Sequence, residues 1–330
     1  MSPRLRPIGP GLRALAVGAA FFCAGADDAR AFVRSTTGNM PFFWRESCVP
    51  VTIYLNRFPQ VSGMTADAVV KSVTAAAQAW SDQPQSSPTG CTPYLEIVPT
   101  LAPASTTPPT VAWDARNSII FRTELWSKSG IPGHDYAFEA LAVTTVTARS
   151  DGHIVDADME VNGVTQSWLN FDPGVSVPFQ QGETKSYYDL QNALTHEFGH
   201  LIGLDHTCFT PSFDNPLVDS NGKLRPKGSD GLPIPDCGAG SPEVVRETVM
   251  YNVTDAGETS KRTLSPDDID AVCTIYAPSV PHDVCALDAA TPGCAVAPTR
   301  PARRSGWAWG LPAGLLAVAA FVARRRARRA

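Results

Sequence analysis

The sequence predicts a mixed α/β fold in which helices pack against a β-sheet, and three observations support it. Segments rich in β-branched and aromatic residues, such as Val51–Leu55, alternate with segments of helical periodicity, such as Thr65–Trp80. Two further strand patterns, Leu141–Thr147 and His153–Val161, flank a short turn. A second helical pattern follows over residues 188–204. Strands and helices in this order are typical of a sheet covered by helices.

The first half of the predicted domain contains one helix and several short strands. Thr65 can cap the first helix, whose apolar residues recur at helical spacing: Val69, Val73, Ala76 and Trp80. Tyr94–Val98 and Ser118–Phe121 are predicted to be strands, whereas the Pro- and Thr-rich stretch 99–109 is predicted to be a loop. Ser150-Asp151-Gly152 has the composition of a hairpin turn.

The second predicted helix carries a concentration of histidine. Residues 196–206 read H-E-F-G-H-L-I-G-L-D-H and hold three of the six histidines in the chain. His196 and His200 are four residues apart and therefore share one face of a helix. Gly203 can end the helix in the left-handed conformation, after which the chain can bring His206 back to the same point. The opposite face carries an apolar stripe: Leu190, Leu194, Phe198, Leu201 and Ile202.

Three imidazoles beside one carboxylate indicate a catalytic zinc site. Zinc favours imidazole nitrogen, and a catalytic site keeps three protein ligands and one open position for water. Glu197 is expected to act as the general base toward that water and to pass the proton to the leaving amine. The alternative is a helix with three ordinary surface histidines, and the low chance frequency of the complete pattern disfavours it.

The region after the motif contains a long insertion and a last helix. Residues 208–242 are rich in Pro, Gly, Asp and Asn. Within them, residues 219–222 read D-S-N-G, which lacks the spacing and final Glu of a calcium loop. An ordinary turn is therefore favoured, and calcium has no further support. Ser265 as the N-cap and Pro266 at the first helical position predict a helix over Ile269–Tyr276.

Eight cysteines are spread along the chain, and none forms a C-x-x-C pair. That spacing disfavours a structural zinc site and favours disulfides in an exported protein. The sequence leaves the connectivity open. Pairing neighbours gives the candidates Cys48–Cys91, Cys208–Cys237 and Cys273–Cys285. Cys23 lies in the predicted signal peptide, and Cys294 is left over.

The arginines are concentrated at the two ends of the chain. Residues 1–31 hold four Arg and two Asp, and residues 300–330 hold eight Arg and no acid. This leaves 15 basic and 30 acidic residues in 32–299, so nucleic acid is not an expected partner. The first segment has the charged start, the short apolar stretch and the Ala29-Arg30-Ala31 cleavage site of a signal peptide.

The sequence predicts two further segments after a catalytic domain at 32–280. Residues 281–305 are Pro- and Ala-rich and read as a linker. Gly306–Val322 is an uncharged apolar run, and five Arg follow it. Residues 306–330 are therefore expected to span a membrane with the C-terminus inside, or to act as a sorting segment. A C-terminal amphipathic helix is disfavoured because the run has no polar face.

These motifs resemble the metzincin clan of zinc peptidases and, within it, the matrixins, which are the matrix-metalloproteinase-like family. The resemblance covers about 40–277 and is sharpest at 196–206. Val249-Met250-Tyr251 is similar to the Met-containing turn of the family, and Arg262–Asp270 is similar to the start of its C-terminal helix. Asp156-Ala157-Asp158 lies where the last strand before the active-site helix would be.

The resemblance implies a zincin-like catalytic domain with a twisted, mostly parallel sheet, an antiparallel edge strand, an active-site helix and a small C-terminal subdomain. The upper subdomain would extend to about residue 203, and the lower one would span 204–280 below a cleft. Met250 would form the floor of the metal site. Leu141–Thr147 would be the edge strand, to which a peptide substrate adds by β-augmentation. The residues then expected to contact substrate are Leu141, Ala142, Val143, Thr144 and Tyr251.

The chain also departs from the matrixin pattern. Asp158 stands where the family has a His of a second, structural zinc, so one zinc ion is expected. The gap from His206 to Met250 is longer than the usual matrixin gap. No Pro-x-Tyr follows Tyr251, so the wall of the substrate pocket must differ. No cysteine-switch propeptide is recognisable.

The C-terminal tail resembles the sorting signals of myxobacterial surface proteins, in which a Cys precedes an apolar segment. Cys294 would be that residue, and a plain membrane anchor is the competing interpretation. The chain is thus expected to be a secreted or cell-surface zinc endopeptidase, acting as a monomer on proteins or peptides. The alternatives are a catalytically silent zinc-containing adhesion module, which would not need Glu197, and a zinc hydrolase of non-peptide bonds.

Overall fold

One large sheet organises the described part of the chain. The computed structural model describes residues 32–45, 49–55, 61, 63–81, 91, 93–102, 110–173, 186–277 and 317–323. The predicted signal peptide (1–31), the predicted linker (281–305) and Cys294 lie outside these residues, as do Cys48 and Cys285.

The strands and helices are numbered here in chain order. The strands are β1 (Val33–Arg34), β2 (Thr36–Thr37), β3 (Met40–Pro41), β4 (Val51–Leu55), β5 (Ile97–Leu101), β6 (Ser118–Arg122), β7 (Ala140–Ala148), β8 (Ile154–Asn162), β9 (Ser167–Leu169), β10 (Tyr187–Asp189), β11 (Leu204–Asp205), β12 (Val253–Thr254) and β13 (Ala317–Ala323). The helices are α1 (Ala66–Ser81), α2 (Leu190–Leu201), α3 (Glu243–Arg246) and α4 (Pro266–Ile275).

Four parallel strands form one side of the large sheet. Its strand order is β12–β13–β7–β8–β6–β4–β5, and strands β5, β4, β6 and β8 run parallel. Strand β7 pairs antiparallel with β8, as the predicted hairpin requires. The predicted mixed α/β fold with a mostly parallel sheet is confirmed.

The prediction that β7 is the edge strand is wrong for the described chain. Strand β13 pairs antiparallel with β7 and, on its other side, parallel with β12. An edge strand has unpaired N–H and C=O groups that can take up another extended segment, and β13 occupies that edge. Strand β13 lies within residues 306–330, which the sequence predicts to span a membrane or to act as a sorting segment. Among the described residues, no helix is both long enough and apolar enough to cross a bilayer.

Helix α1 confirms the first helix prediction. The Ala68 N–H donates to Thr65 Oγ1 at 3.2 Å, as an N-cap requires. Near the other end, the fully buried Trp80 donates its indole N–H to Thr195 O at 2.8 Å. Helix α1 therefore packs directly against α2. Replacing Trp80 with alanine would cost about 3–5 kcal/mol of unfolding free energy because it leaves a cavity at this contact.

Strand β5 begins later than predicted and runs into the predicted loop. The sequence predicts a strand over Tyr94–Val98 and a loop over 99–109, whereas β5 spans Ile97–Leu101. Pro99 has no N–H to donate, but β5 lies at the outer edge of the sheet, where a proline is tolerated. Residues 103–109 lie outside the described part of the chain.

Helix α4 confirms the last predicted helix and its cap. The Ser265 side chain accepts a hydrogen bond from the Asp268 N–H, and the Asp268 carboxylate accepts one from the Ser265 N–H. This capping box satisfies two N–H groups that a helix terminus otherwise leaves unpaired. Pro266 follows the cap, where its missing N–H costs nothing.

Two disulfides are formed among the described cysteines: Cys91–Cys273 and Cys208–Cys237. The second confirms its prediction. The first shows that the predicted partners of these two cysteines, Cys48 and Cys285, are wrong. Spatial proximity explains the difference, because the Tyr94 N–H donates to Tyr276 O at 2.9 Å and places the chain before β5 beside the end of α4.

Candidate metal centre

Helix α2 positions two of the three motif histidines. It begins after Asp189, whose Oδ1 accepts a hydrogen bond from the Asn192 N–H at 2.7 Å and caps the helix. It ends at Leu201, so it is shorter at both ends than the predicted 188–204. The residues just before it form β10, which pairs with β9. Strand pairing therefore sets the start of α2.

Gly203 allows the chain to return to the helix. Its φ of +93° lies in the left-handed region, which glycine adopts without strain. A Cβ at this position would lie 2.5 Å from Phe42 O, so any side chain would push the two main chains apart. The next two residues pair with β1 as strand β11, and His206 follows directly. The predicted left-handed conformation of Gly203 and the return of the chain are confirmed, although α2 itself ends two residues earlier.

The three motif histidines converge on one point. His200 Nε2 lies 3.1 Å from His196 Nε2 and 3.2 Å from His206 Nε2. All three ligand nitrogens lie within 4.8 Å of one another. His196 and His200 are buried, and His206 is half-buried. Three imidazole nitrogens at this spacing can bind one metal ion, and the chemistry of the donors fits zinc.

Main-chain carbonyls orient the rings of the two helical histidines. His196 Nδ1 lies 2.6 Å from Val249 O, and His200 Nδ1 lies 2.9 Å from Leu204 O. When each Nδ1–H donates to its carbonyl, Nε2 keeps the lone pair that a metal requires. The His206 main-chain N–H donates to Asp205 Oδ1 at 2.9 Å, which fixes the third histidine through its backbone.

Burial keeps these imidazoles neutral. It lowers the pKa of His200 to about 4, and it lowers the pKa of His196 and of His206 well below the usual value for histidine. The neighbouring imidazoles lower the pKa of His196 and His206 further, since a second positive charge would be repelled. All three rings are therefore neutral at pH 7, and neutral imidazole is the form that binds metals.

Glu197 follows His196 in α2, is buried and contacts the sheet. Thr144 Oγ1 in β7 donates to Glu197 Oε2 at 2.6 Å. Glu197 Oε1 is buried and has no hydrogen-bond partner among the described residues. Burial raises the pKa of Glu197 to about 8, and the hydrogen bond from Thr144 opposes that rise. One carboxylate oxygen is thus anchored, and the other remains able to accept a proton.

Met250 packs against α2 from the C-terminal half of the chain. Gly199 has no side chain, and a Cβ there would clash with Met250 Sδ. The preceding residue, Val249, accepts from His196 through its carbonyl and donates its N–H to Asp268 Oδ2 at 2.8 Å. The turn is therefore tied both to the metal-binding helix and to α4.

The five residues expected to contact substrate fall into two groups. Leu141–Thr144 lie in β7 and are buried, and the β7 backbone pairs with β13. Tyr251 follows the Met250 turn, and its hydroxyl accepts from the Gly238 N–H at 2.8 Å and donates to Gly238 O. The Tyr251 hydroxyl is therefore engaged by the 208–242 insertion.

The sequence did not predict two ion pairs beside the centre. Lys223 from the insertion pairs with Asp205, the residue before His206. Arg262 donates to both carboxylate oxygens of Asp189, at 2.8 and 2.6 Å, and so supports the cap of α2. An Asp directly before an apolar helical pattern could have indicated the cap. The cationic partners are far away in sequence, and no local pattern indicates them.

The described part of the chain contains one group of three or more metal-binding side chains whose ligand atoms converge, and it is the histidine triad. Asp158, which takes the place of a structural-zinc histidine in the matrixin resemblance, accepts from the Ala112 N–H at 3.1 Å. A scan of protein-family models and a search of curated proteins found no match to this chain.

Proposed function

We propose that the protein is a zinc-dependent endopeptidase of the metzincin type, with a matrixin-like catalytic domain. One observation carries the proposal: His196, His200 and His206 present three imidazole nitrogens to one point, and Glu197, the residue after His196 in α2, is buried with one carboxylate oxygen held by Thr144. A binding module needs the ligands but has no use for the carboxylate. The cell-surface adhesion alternative is therefore weaker.

Each residue of the centre has a role in this proposal. The three histidines would hold one zinc ion, which supplies Lewis-acid activation of water and of the scissile carbonyl when bound. Glu197 accepts the proton from the attacking water at Oε1 and delivers it to the leaving amine. Val249 O and Leu204 O hold the rings of His196 and His200 in place. Met250 packs against α2 at Gly199.

The arrangement of β7 supports a peptide substrate. An extended segment of this chain, β13, lies antiparallel to β7, with Ala319 opposite Thr144 and Ala320 opposite Val143. The β7 backbone can therefore hold an extended peptide next to the residue that contacts Glu197, which is the geometry of β-augmentation. A small non-peptide substrate would make no use of such a strand.

Three nitrogen ligands favour zinc over calcium, which takes oxygen ligands. The D-S-N-G turn offers no calcium support, because Asp219 Oδ1 already accepts from the Asn221 and Lys223 N–H groups. The two disulfides favour an oxidising compartment and agree with an exported enzyme. The proposal places the enzyme outside the cytoplasm, secreted or attached through residues 306–330.

The test is hydrolysis of casein and of a peptide library by the purified protein. The chain is assayed with and without residues 306–330, since β13 covers the backbone to which a peptide would pair. We expect cleavage that a chelator abolishes and added zinc restores. Zinc bound without hydrolysis in either form would instead support the adhesion module. Failure to bind zinc would contradict both.

A further inference from the structure

We propose that Thr144 is a positioning residue for Glu197: its hydroxyl fixes one carboxylate oxygen so that the other faces the proton it must accept. This inference rests on the proposed function. Thr144 is 1% exposed, and its Oγ1 lies 2.6 Å from Glu197 Oε2. The resemblance to matrixins implies only that the backbone of this strand contacts the substrate.

The position of Thr144 in β7 makes a hydroxyl unexpected. Alternate residues of a strand point to the same face, so Thr144 shares a face with Ala142 and Val146. Both are buried in the main hydrophobic core together with the apolar residues of α2. The residue opposite it in β8 is Met159, which is also in that core. A buried hydroxyl among apolar groups costs free energy unless it is hydrogen-bonded.

Glu197 supplies both acceptors of that hydroxyl. The carboxylate oxygen Oε2 lies at 2.6 Å and the main-chain oxygen at 3.3 Å. The contact to the carboxyl oxygen is the shorter of the two and therefore the stronger. With Oε2 held, the terminal torsion of Glu197 can no longer rotate freely. Its other oxygen is then pre-oriented, and small misplacements of a reacting group are costly.

The chain provides a matched set of variants. Thr144→Val keeps the shape and removes the hydroxyl, and Thr144→Ser keeps the hydroxyl and removes the methyl group. Thr145→Val makes the same chemical change at the next residue. Thr145 points to the opposite face, where Asp158 is its cross-strand neighbour.

The experiment measures kcat and KM of the full chain on casein and on the best-cleaved peptide of the library, with bound zinc measured for every variant. Thr144→Val should lower kcat by about 10- to 100-fold and change KM by less than about threefold. Thr144→Ser should recover most of the loss, and Thr145→Val should stay within about twofold of the unchanged protein. Bound zinc should be equal in all variants.

Several results would overturn the inference. Unchanged kcat in Thr144→Val would show that the Thr144 hydroxyl is not needed to position Glu197. An equal loss in Thr144→Val and Thr144→Ser would show that the residue acts only through packing. If the unchanged protein cleaves nothing, the proposed function is wrong. A double-mutant cycle can then still test whether Thr144 and Glu197 interact. Unfolding free energies of Thr144→Val, Glu197→Gln and the double variant should be non-additive, and additivity would contradict the inference.

Discussion

The two faces of the β7–β8 hairpin both bury ionisable groups, and they do so in different ways. The inner face packs against α2, the helix that carries Glu197 and two of the three histidines, and Thr144 on this face contacts Glu197. The opposite face carries a row of acidic residues at alternate positions of β8, which are Asp156, Asp158 and Glu160. All three are less than 3% exposed, so burial alone does not distinguish the two faces.

The two faces differ in how the charge of their buried ionisable groups is compensated. Arg122 Nε donates to Glu160 Oε1 at 2.6 Å, and the Tyr136 hydroxyl donates to Oε2. Burial raises the pKa of Asp158 to about 8 and of Asp156 to about 7, so protons neutralise part of this charge. The histidine nitrogens instead converge on a single point. Convergence of ligand atoms, rather than burial of polar groups, therefore identifies the candidate metal centre.

The largest expected effect follows from removing one ligand on the inner face. His200→Ala should lose bound zinc and lower kcat/KM on the order of 10³-fold or more, because a tripod with two ligands no longer holds the ion. His134→Ala is the control, since His134 is exposed and outside the triad. Equal zinc content in the two variants would show that the histidine triad is not what binds the metal, and the proposed difference between the two faces would be wrong.

A smaller effect is expected from the opposite face. Arg122→Met should lower the unfolding free energy by about 3 kcal/mol, because it leaves Glu160 buried without its cation. Zinc content should not change. The double variant Arg122→Met/Glu160→Gln should recover part of the loss, as seen by urea denaturation. If Arg122→Met loses zinc instead of unfolding free energy, the Arg122–Glu160 ion pair also supports metal binding, and the two faces do not act independently.

The last prediction concerns pH, and its effect on the unfolding free energy is the smallest when taken per pH unit. The pKa of Asp158 is raised in the folded state, so the folded protein binds more protons than the unfolded chain between about pH 4 and pH 8. The unfolding free energy should therefore fall as the pH rises through that window, by at most about 1.4 kcal/mol per pH unit for this proton. Asp158→Asn does not titrate and should show a shallower slope. Equal slopes in urea denaturation at pH 5 to 8 would contradict this.

The parts of the fold that local patterns control were predictable from the sequence. The Ser265 cap, the turn at Gly203 and the face shared by His196 and His200 all depend on residues within one or two helical turns. These features follow from backbone geometry and side-chain periodicity. The place of Met250 against α2 was instead an expectation from the resemblance to matrixins, because no local pattern links Met250 to a helix so far away in sequence.

The predictions that failed, and the contacts that were missed, concern residues that are distant from each other in the sequence. The Cys91–Cys273 disulfide joins residues that are 182 positions apart, and neighbour pairing could not find it. The pairing of β13 with β7 depends on an open strand edge rather than on a local pattern. The contact between Thr144 and Glu197 requires the register of β7 against α2, which no periodicity in either segment specifies.

In the proposed centre, three histidines hold one zinc ion and Glu197 acts as the base. The most direct test measures zinc content and peptide cleavage together in the unchanged protein and in Glu197→Gln. We expect one zinc ion per chain in both proteins, with cleavage reduced by about 10²- to 10⁴-fold in the variant. Near-normal cleavage by Glu197→Gln, or an unchanged protein that binds no zinc, would contradict it.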